Sequence, residues 1–548
     1  MAERRFKGKA SSPGLAIGPL VHFEQDRPSA NRQAGSPKDE RAALEKAIAK
    51  AASDLEALAA VASGDGAAIL AFQIEMLGDP ALTESVWPEI AGGKEAVLAW
   101  TEGLNAEIEG YRAADDEYFR ARASDLEDLR DRVARALEGV IPALLDMPKG
   151  AILLAHDLQP SRFLALDHAK LGGIVLTKGS ANSHVAMLVR ARGLPMIVDL
   201  DVEISDVIVK KSDAPPSLID GILHADDGYL LIAPAEATRQ DFEARCDAQK
   251  QDAINAASRR SLPAVTADGQ TISVLVNIDD PAAIDEAILE AADGVGLLRT
   301  EFLLLGSRKL PDEEDQLRIY VDLQQRLGGK QLIIRTFDIG GDKPLSSLDL
   351  PKEQNPFLGL RGIRLCLDHP SFFRPQIRAL LRAAANGPLD VMIPMVTVQD
   401  EIDETERLFR TCLRELEKEG KEASMPALGI MVETPAAAIA ADHLETAFFS
   451  IGSNDLIQYA MAAARDGSGR VADLLDPGHP AIPRLIEMVV KQAQIRDQEV
   501  SLCGDLASDP AALPLLFGTG LRKISVQPAA FDRVKDAIGK IDLARPTG

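Results

Sequence analysis

Aromatic residues make up only 4% of this 548-residue chain, so Leu, Ile, Val and Ala must fill whatever cores it builds. Cysteine is scarce as well. Cys246, Cys366, Cys412 and Cys503 are widely scattered, with no CxxC pair. That excludes a disulfide scaffold and a thiolate zinc site, and it fits a reducing compartment. No apolar run approaches the roughly 20 residues that a bilayer-spanning helix needs. The basic opening, residues 1–10, lacks the apolar stretch of a signal peptide. A cytoplasmic protein with no membrane insertion is expected. Basic side chains are outnumbered, 60 Lys and Arg against 84 Asp and Glu, for a formal net charge of −24. Nucleic acid and anionic membrane both demand basic patches, so neither is an expected partner. An acidic surface instead steers a basic or neutral protein. Tandem repeats, low-complexity tracts and a P-loop are absent from the sequence.

Hydrophobic residues reach 46%, ample for several cores. At about 150 residues per domain, three or four units are expected. Residues 1–30 read as a short strand-rich opening. From Ser36 the period changes: Ser36 can cap a helix, Pro37 suits its first position, and Asp39 favours its positive end. Leu44, Ile48, Ala51, Leu55 and Leu58 then recur at helical spacing, and Phe119, Leu126, Leu129, Val133 and Leu137 form a second stripe. An all-α bundle over 33–145 is predicted, broken at Gly78-Asp79-Pro80 and Gly92-Gly93. Residues 37–145 carry 22 acidic and 11 basic side chains, which makes the bundle either a solvated acidic face or a docking surface for a protein partner.

From Lys149 the texture turns to strands at 151–154, 173–176, 196–198 and 229–232, with a helix over 181–192. Residues 1–30 and 149–235 are predicted to form one α/β domain interrupted by the bundle. Residues 236–262, charged and Ala-rich, form the expected linker helix. Between 263 and 548 eight strands alternate with helices: 272–278, 294–298, 332–337, 391–396, 428–432, 448–451, 500–503 and 523–526. That pattern predicts a (β/α)8 barrel of the TIM type, with a doubly wound sheet as the alternative. The fold class is therefore multidomain α/β.

Chemically capable residues sit just after these strands: Arg299, Arg335, Glu433, Asn454 with Asp455, and Cys503. Strand C-termini of a barrel converge on one face, where active sites lie. The two arginines offer planar forks for phosphate or carboxylate. Two carboxylates plus substrate oxygens is a usual way to hold Mg²⁺. A thiol there can donate or accept a proton. Taken singly, each has a plainer explanation, as an ion pair, a helix cap or core packing. Together at successive strand ends they point to a site. Among eight histidines, His184 stands out: it follows a strand and the small-residue turn Lys178–Ser183, and it opens a helix. A phosphoryl group attached there would meet free backbone N–H groups and a positive dipole end. The plainer role is a histidine that helps cap the helix.

The blocks GVGLLRTEFLLL (294–305), RTFDIGGDKPL (335–345), NPFLGLRGIR (355–364), GIMVETPAAA (429–438) and FFSIGSNDLIQY (448–459) resemble the Enzyme I family of the phosphoenolpyruvate (PEP)-dependent sugar phosphotransferase system, the PEP-protein phosphotransferases. The likeness runs from Ser12-Pro13-Gly14 to about residue 530; pyruvate phosphate dikinase and PEP synthase share several blocks. The resemblance implies a phosphoryl transfer from PEP to His184 with release of pyruvate, then to a histidine of a small HPr-like phosphocarrier. It implies Mg²⁺ on Glu433 and Asp455, PEP on Arg299, Arg335, Asn454, Asp455 and Arg465 with Arg361 beside them, and Cys503 as proton donor to the enolate. It also implies carrier docking on 33–145, a swivelling His184 domain and a homodimer through the barrel. The family's G-G-x-T-S-H reads Gly179-Ser180-Ala181-Asn182-Ser183-His184 here, its C-G-E-L-A-G-D reads Cys503-Gly504-Asp505-Leu506-Ala507-Ser508-Asp509, and an acidic position before the last arginine is Ala464. These departures point to a divergent branch. The alternatives are an ATP-using dikinase relative and a weakly catalytic, PEP-responsive regulatory phosphoprotein.

Overall fold

The computed structural model describes residues 3–23, 34–59, 65–112, 117–140, 147–179, 183–201, 219–304, 311–340, 353, 355–464, 471 and 474–544. The chain divides into two units, Met1–Lys250 and Gln251–Gly548.

In the first unit, strands β1 (Arg4–Lys7), β2 (Lys9–Ser12), β3 (Leu15–Phe23), β4 (Ala151–Ala155), β5 (Leu171–Leu176), β6 (Met196–Val198), β7 (Asp220–His224) and β8 (Tyr229–Ile232) form one sheet in the order β1-β8-β7-β3-β4-β5-β6-β2. Pairing from β3 to β6 is parallel, and the flanking strands add antiparallel. Between β3 and β4 the chain leaves the sheet for a set of helices, as the period change predicts. Helix Pro37–Ala59 starts where expected: the Ser36 hydroxyl accepts from the Asp39 amide at 3.4 Å while Asp39 accepts from the Ser36 amide at 3.1 Å. Its stripe is buried at Leu44, Ala51 and Leu55, with Ile48 and Leu58 packed at the margin. Of the second stripe, Leu126, Leu129, Val133 and Leu137 are buried; the Phe119 side chain lies outside the described residues. Asp128 pins the helices to the sheet domain, accepting from the Ser161 hydroxyl at 2.7 Å and the Ser161 amide at 3.2 Å.

The helix expected over 181–192 spans His184–Ala191, and Ser180–Asn182 lie outside the described residues. A helix covers Glu236–Ser258, where the linker is expected. In the second unit β9 (Ser273–Ile278), β10 (Gly294–Leu298), β11 (Gln331–Arg335), β12 (Asp390–Ile393), β13 (Ala427–Val432), β14 (Phe448–Gly452), β15 (Glu499–Cys503) and β16 (Lys523–Val526) close into an all-parallel barrel, which decides between barrel and doubly wound sheet. β16 pairs with β9 to complete the ring. Strands buried on both faces read as short apolar runs, which is why the sequence shows them. No described helix is long and apolar enough to cross a membrane.

Candidate active site at the barrel mouth

The predicted strand-end residues fall where closure brings them together. Arg299 follows β10, Arg335 ends β11, Glu433 follows β13, and Cys503 ends β15. Asn454 and Asp455 lie in the first turn of helix Ser453–Met461, immediately after β14. Arg335, Glu433, Asp455 and Cys503 are each less than a tenth exposed.

A chain of ion pairs links Arg335 to Asp455. Arg335 donates to Glu301 at 3.0 Å and pairs with Asp338 at 3.1 Å. Arg361 forks onto Asp338, Nε to Oδ1 and Nη2 to Oδ2, both at 3.0 Å. Its Nη1 also reaches Asp455 Oδ1 at 3.1 Å and the Tyr459 hydroxyl at 3.2 Å. The resemblance gives Arg361 only a place beside the PEP-binding positions; a bridge between Gly340 and Arg361 brings it into the mouth. Asp338, Glu301 and Tyr459 escape sequence reading altogether. Their signal is position, since Glu301 and Asp338 lie two and three residues past arginines that mark strand ends.

Glu433 accepts from the Met395 amide at 2.5 Å. Burial, then the charges of Asp455 and Asp338, push its carboxyl up to about 8 against the pull of Arg335 and Arg361. Among the described residues four carboxyl groups (Glu301, Asp338, Glu433, Asp455) gather with the guanidinium groups of Arg335 and Arg361. A divalent cation that displaces the Glu433 proton fits such an acidic cluster. Among the described residues no group of three or more His, Cys, Asp or Glu is arranged to hold a metal. Two protein carboxylates with the remaining ligands from substrate and water is an arrangement that suits Mg²⁺.

Arg299 pairs with Asp279 at 3.1 Å and remains 37% exposed in its side chain, so its fork is open to an anion. Asn454 is held by Asp505: the Asp505 amide donates to Asn454 Oδ1 at 2.9 Å, and Asn454 Nδ2 donates back to Asp505 Oδ2 at 3.2 Å. The aspartate at 505 thus orients the asparagine rather than opening the site. Cys503 is 2% exposed, and burial pushes its thiol up to about 11, opposed by Arg299 and Arg335. It is a protonated thiol next to two guanidinium groups. Arg465 lies outside the described residues.

In the other unit, Ser183 caps the helix that His184 opens, its hydroxyl accepting from the Ala186 amide at 3.3 Å. The expected placement of His184 at a helix start therefore holds for the backbone; its side chain lies outside the described residues.

Family models of the PEP-utilising enzymes match the chain in three stretches: the PEP-binding domain over residues 254–543, the N-terminal domain over 7–122 and the mobile domain over 147–221. Similar proteins include a phosphoenolpyruvate-protein phosphotransferase of Geobacillus stearothermophilus, 37% identical across 96% of this chain and 91% of the relative. Those of Haloferax volcanii and Bacillus subtilis strain 168 are 36% and 34% identical, across 99% and 98% of this chain and 95% of each relative. By both measures the chain belongs to the PEP-utilising enzyme family.

Proposed function

We propose that the chain is a PEP-protein phosphotransferase: it takes the phosphoryl group of PEP onto His184, releases pyruvate, and passes the group to a histidine on a small HPr-like phosphocarrier. The observation that carries this reading is the convergence of Arg335, Glu433, Asp455 and Cys503, with Arg361, at one end of a closed parallel barrel.

Arg299, Arg335, Asn454, Asp455 and Arg465, with Arg361, bind PEP and fix its phosphoryl group for in-line attack, which is where phosphoryl transfer gains most. Glu433 and Asp455 would hold Mg²⁺, whose charge would offset that on the phosphoryl oxygens and the leaving enolate. A nitrogen of the His184 imidazole attacks phosphorus as the bond to the enol oxygen breaks. Cys503 then gives its S–H proton to the terminal carbon of enolpyruvate, and pyruvate leaves. The domain built from 1–30 and 149–235 carries His184, the helices of 33–145 dock the phosphocarrier through their acidic surface, 236–262 links the halves, and 263–548 binds PEP. One histidine must meet both PEP and the carrier, so the His184 domain swivels about the linker. The barrel pairs with its copy in a homodimer. Free thiols at Cys246, Cys366, Cys412 and Cys503 fit the cytoplasm.

The test is incubation with PEP and Mg²⁺, with pyruvate measured and the acid-labile phosphate mapped. Phosphate on His184 with matching pyruvate is expected. Labelling of His184 by ATP would revive the dikinase alternative, and phosphate that no carrier accepts would favour the regulatory one.

A further inference from the structure

β14 and β15 run side by side, with Ser450 opposite Ser501 and Gly452 opposite Cys503. The Ser501 hydroxyl donates to Ser450 Oγ at 3.4 Å, and the Ser450 hydroxyl donates to Cys503 Sγ at 4.0 Å. Both serines are buried, at 0% and 3% exposure. Leu297, Ile333, Met392, Met431 and Phe448 pack with Cys503 inside the barrel. Hydroxyls in such a setting are costly to bury without partners. Both donate in one direction, toward sulfur. A third buried serine, Ser525, donates to Asn277 Oδ1 at 2.7 Å, a pair that leads to no reactive group.

Donating a proton leaves Cys503 as a thiolate away from water. Guanidinium groups that bind the substrate's anionic oxygens are only partly free to compensate that charge. A hydroxyl donor behind the sulfur is, and a charge-assisted bond is shorter and stronger than the slack one a neutral thiol accepts. We propose that Ser450, backed by Ser501, is a positioning residue for this chemistry: a two-hydroxyl donor chain that aims Cys503 Sγ and stabilises its thiolate. The inference rests on Cys503 being the proton donor under the function proposed above. In the step itself the S–H bond breaks as the C–H bond of pyruvate forms, the electron pair stays on sulfur, and Sγ regains a proton from solvent water once the site empties. The burial that pushes the thiol up to about 11 makes such a donor worth having.

Four single variants of the full chain decide the matter, read by pyruvate formation (kcat and KM for PEP separately) and by the rate of Cys503 alkylation with iodoacetamide at pH 9, followed at the Cys503 peptide. Ser450→Ala should lower both kcat and alkylation rate about tenfold, as loss of a bond to a charged group implies, with KM unchanged. Ser501→Ala should move both the same way by less, Ser450→Thr should restore both, and Ser525→Ala should leave both near the parent. Parent-like kcat and alkylation in Ser450→Ala would overturn the inference, as would an equal loss in Ser525→Ala, which would mark a packing effect. Cys503→Ala run in parallel separates the two levels: parent-like pyruvate formation there would sink the proton-donor role itself.

Discussion

Arg361 faces Asp455 through two hydrogen bonds, Nη1 to Oδ1 at 3.1 Å and Nη2 to Oδ2 at 3.3 Å, while its inner edge forks onto Asp338. One guanidinium thus bridges two buried carboxylates, Asp338 past β11 and Asp455 past β14. Removing one partner of a buried ion pair leaves uncompensated charge, which costs about 3–5 kcal/mol. Arg361→Ala should therefore destabilise the barrel by about that amount in denaturant unfolding, whether or not PEP is present. Arg361→Lys should recover only part of it, because an ammonium cannot fork onto both carboxylates. A loss below about 1 kcal/mol in Arg361→Ala would mean that water replaces the guanidinium without penalty.

How much of this was legible in the sequence depends on the residue. The barrel strands were, because two-sided burial leaves short apolar runs such as Gly294–Leu298, and the observed limits of that strand and of Lys523–Val526 match the predicted ones. β7 was not: Asp220-Gly221 and His224 bracket only Ile222 and Leu223, too short a run to separate from a loop. Arg335, Glu433 and Cys503 were visible as reactive side chains at strand ends. Asp338 and Arg361 sit on irregular segments, where periodicity carries no information about direction, and only tertiary packing joins them. Asp505 could be noted as a departure, yet its grip on Asn454 needed coordinates.

Glu433 supplies a prediction about pH and metal. Its folded carboxyl is raised to about 8 from an ordinary 4.5, so the stabilisation tied to its protonated form is full below about 4.5 and is lost as pH rises through about 8. Without metal, Tm should fall between about pH 4.5 and 8. Mg²⁺ must displace that proton, so its affinity should climb over the same interval with release of protons into buffer. Calorimetric titration at pH 6.5 and 8.5 in buffers of different ionisation enthalpy measures both. Glu433→Gln should flatten the Tm profile and weaken Mg²⁺ binding. A pH-independent Mg²⁺ affinity in the parent would contradict the assignment of Glu433 as a ligand.

Cys503 supplies a third. A thiol held up to about 11 stays protonated across the working range, so pyruvate formation should show no alkaline loss from this group below about pH 10. Cys503→Ala should bind PEP with nearly unchanged affinity and form pyruvate at least about a hundredfold more slowly, the usual scale for a lost general acid. Stopped-flow measurement of pyruvate, coupled to lactate dehydrogenase, separates the two. A parent-like rate would place the proton donor elsewhere.

The most direct measurement is the location of the phosphoryl group. The full chain, incubated with labelled PEP and Mg²⁺, is digested under alkaline conditions and the label is mapped by mass spectrometry. One acid-labile phosphate per chain on His184 is expected, with an equal yield of pyruvate, none in His184→Ala, and discharge on adding a histidine phosphocarrier. Label on another residue, or label that persists in His184→Ala, would contradict the proposed phosphotransferase.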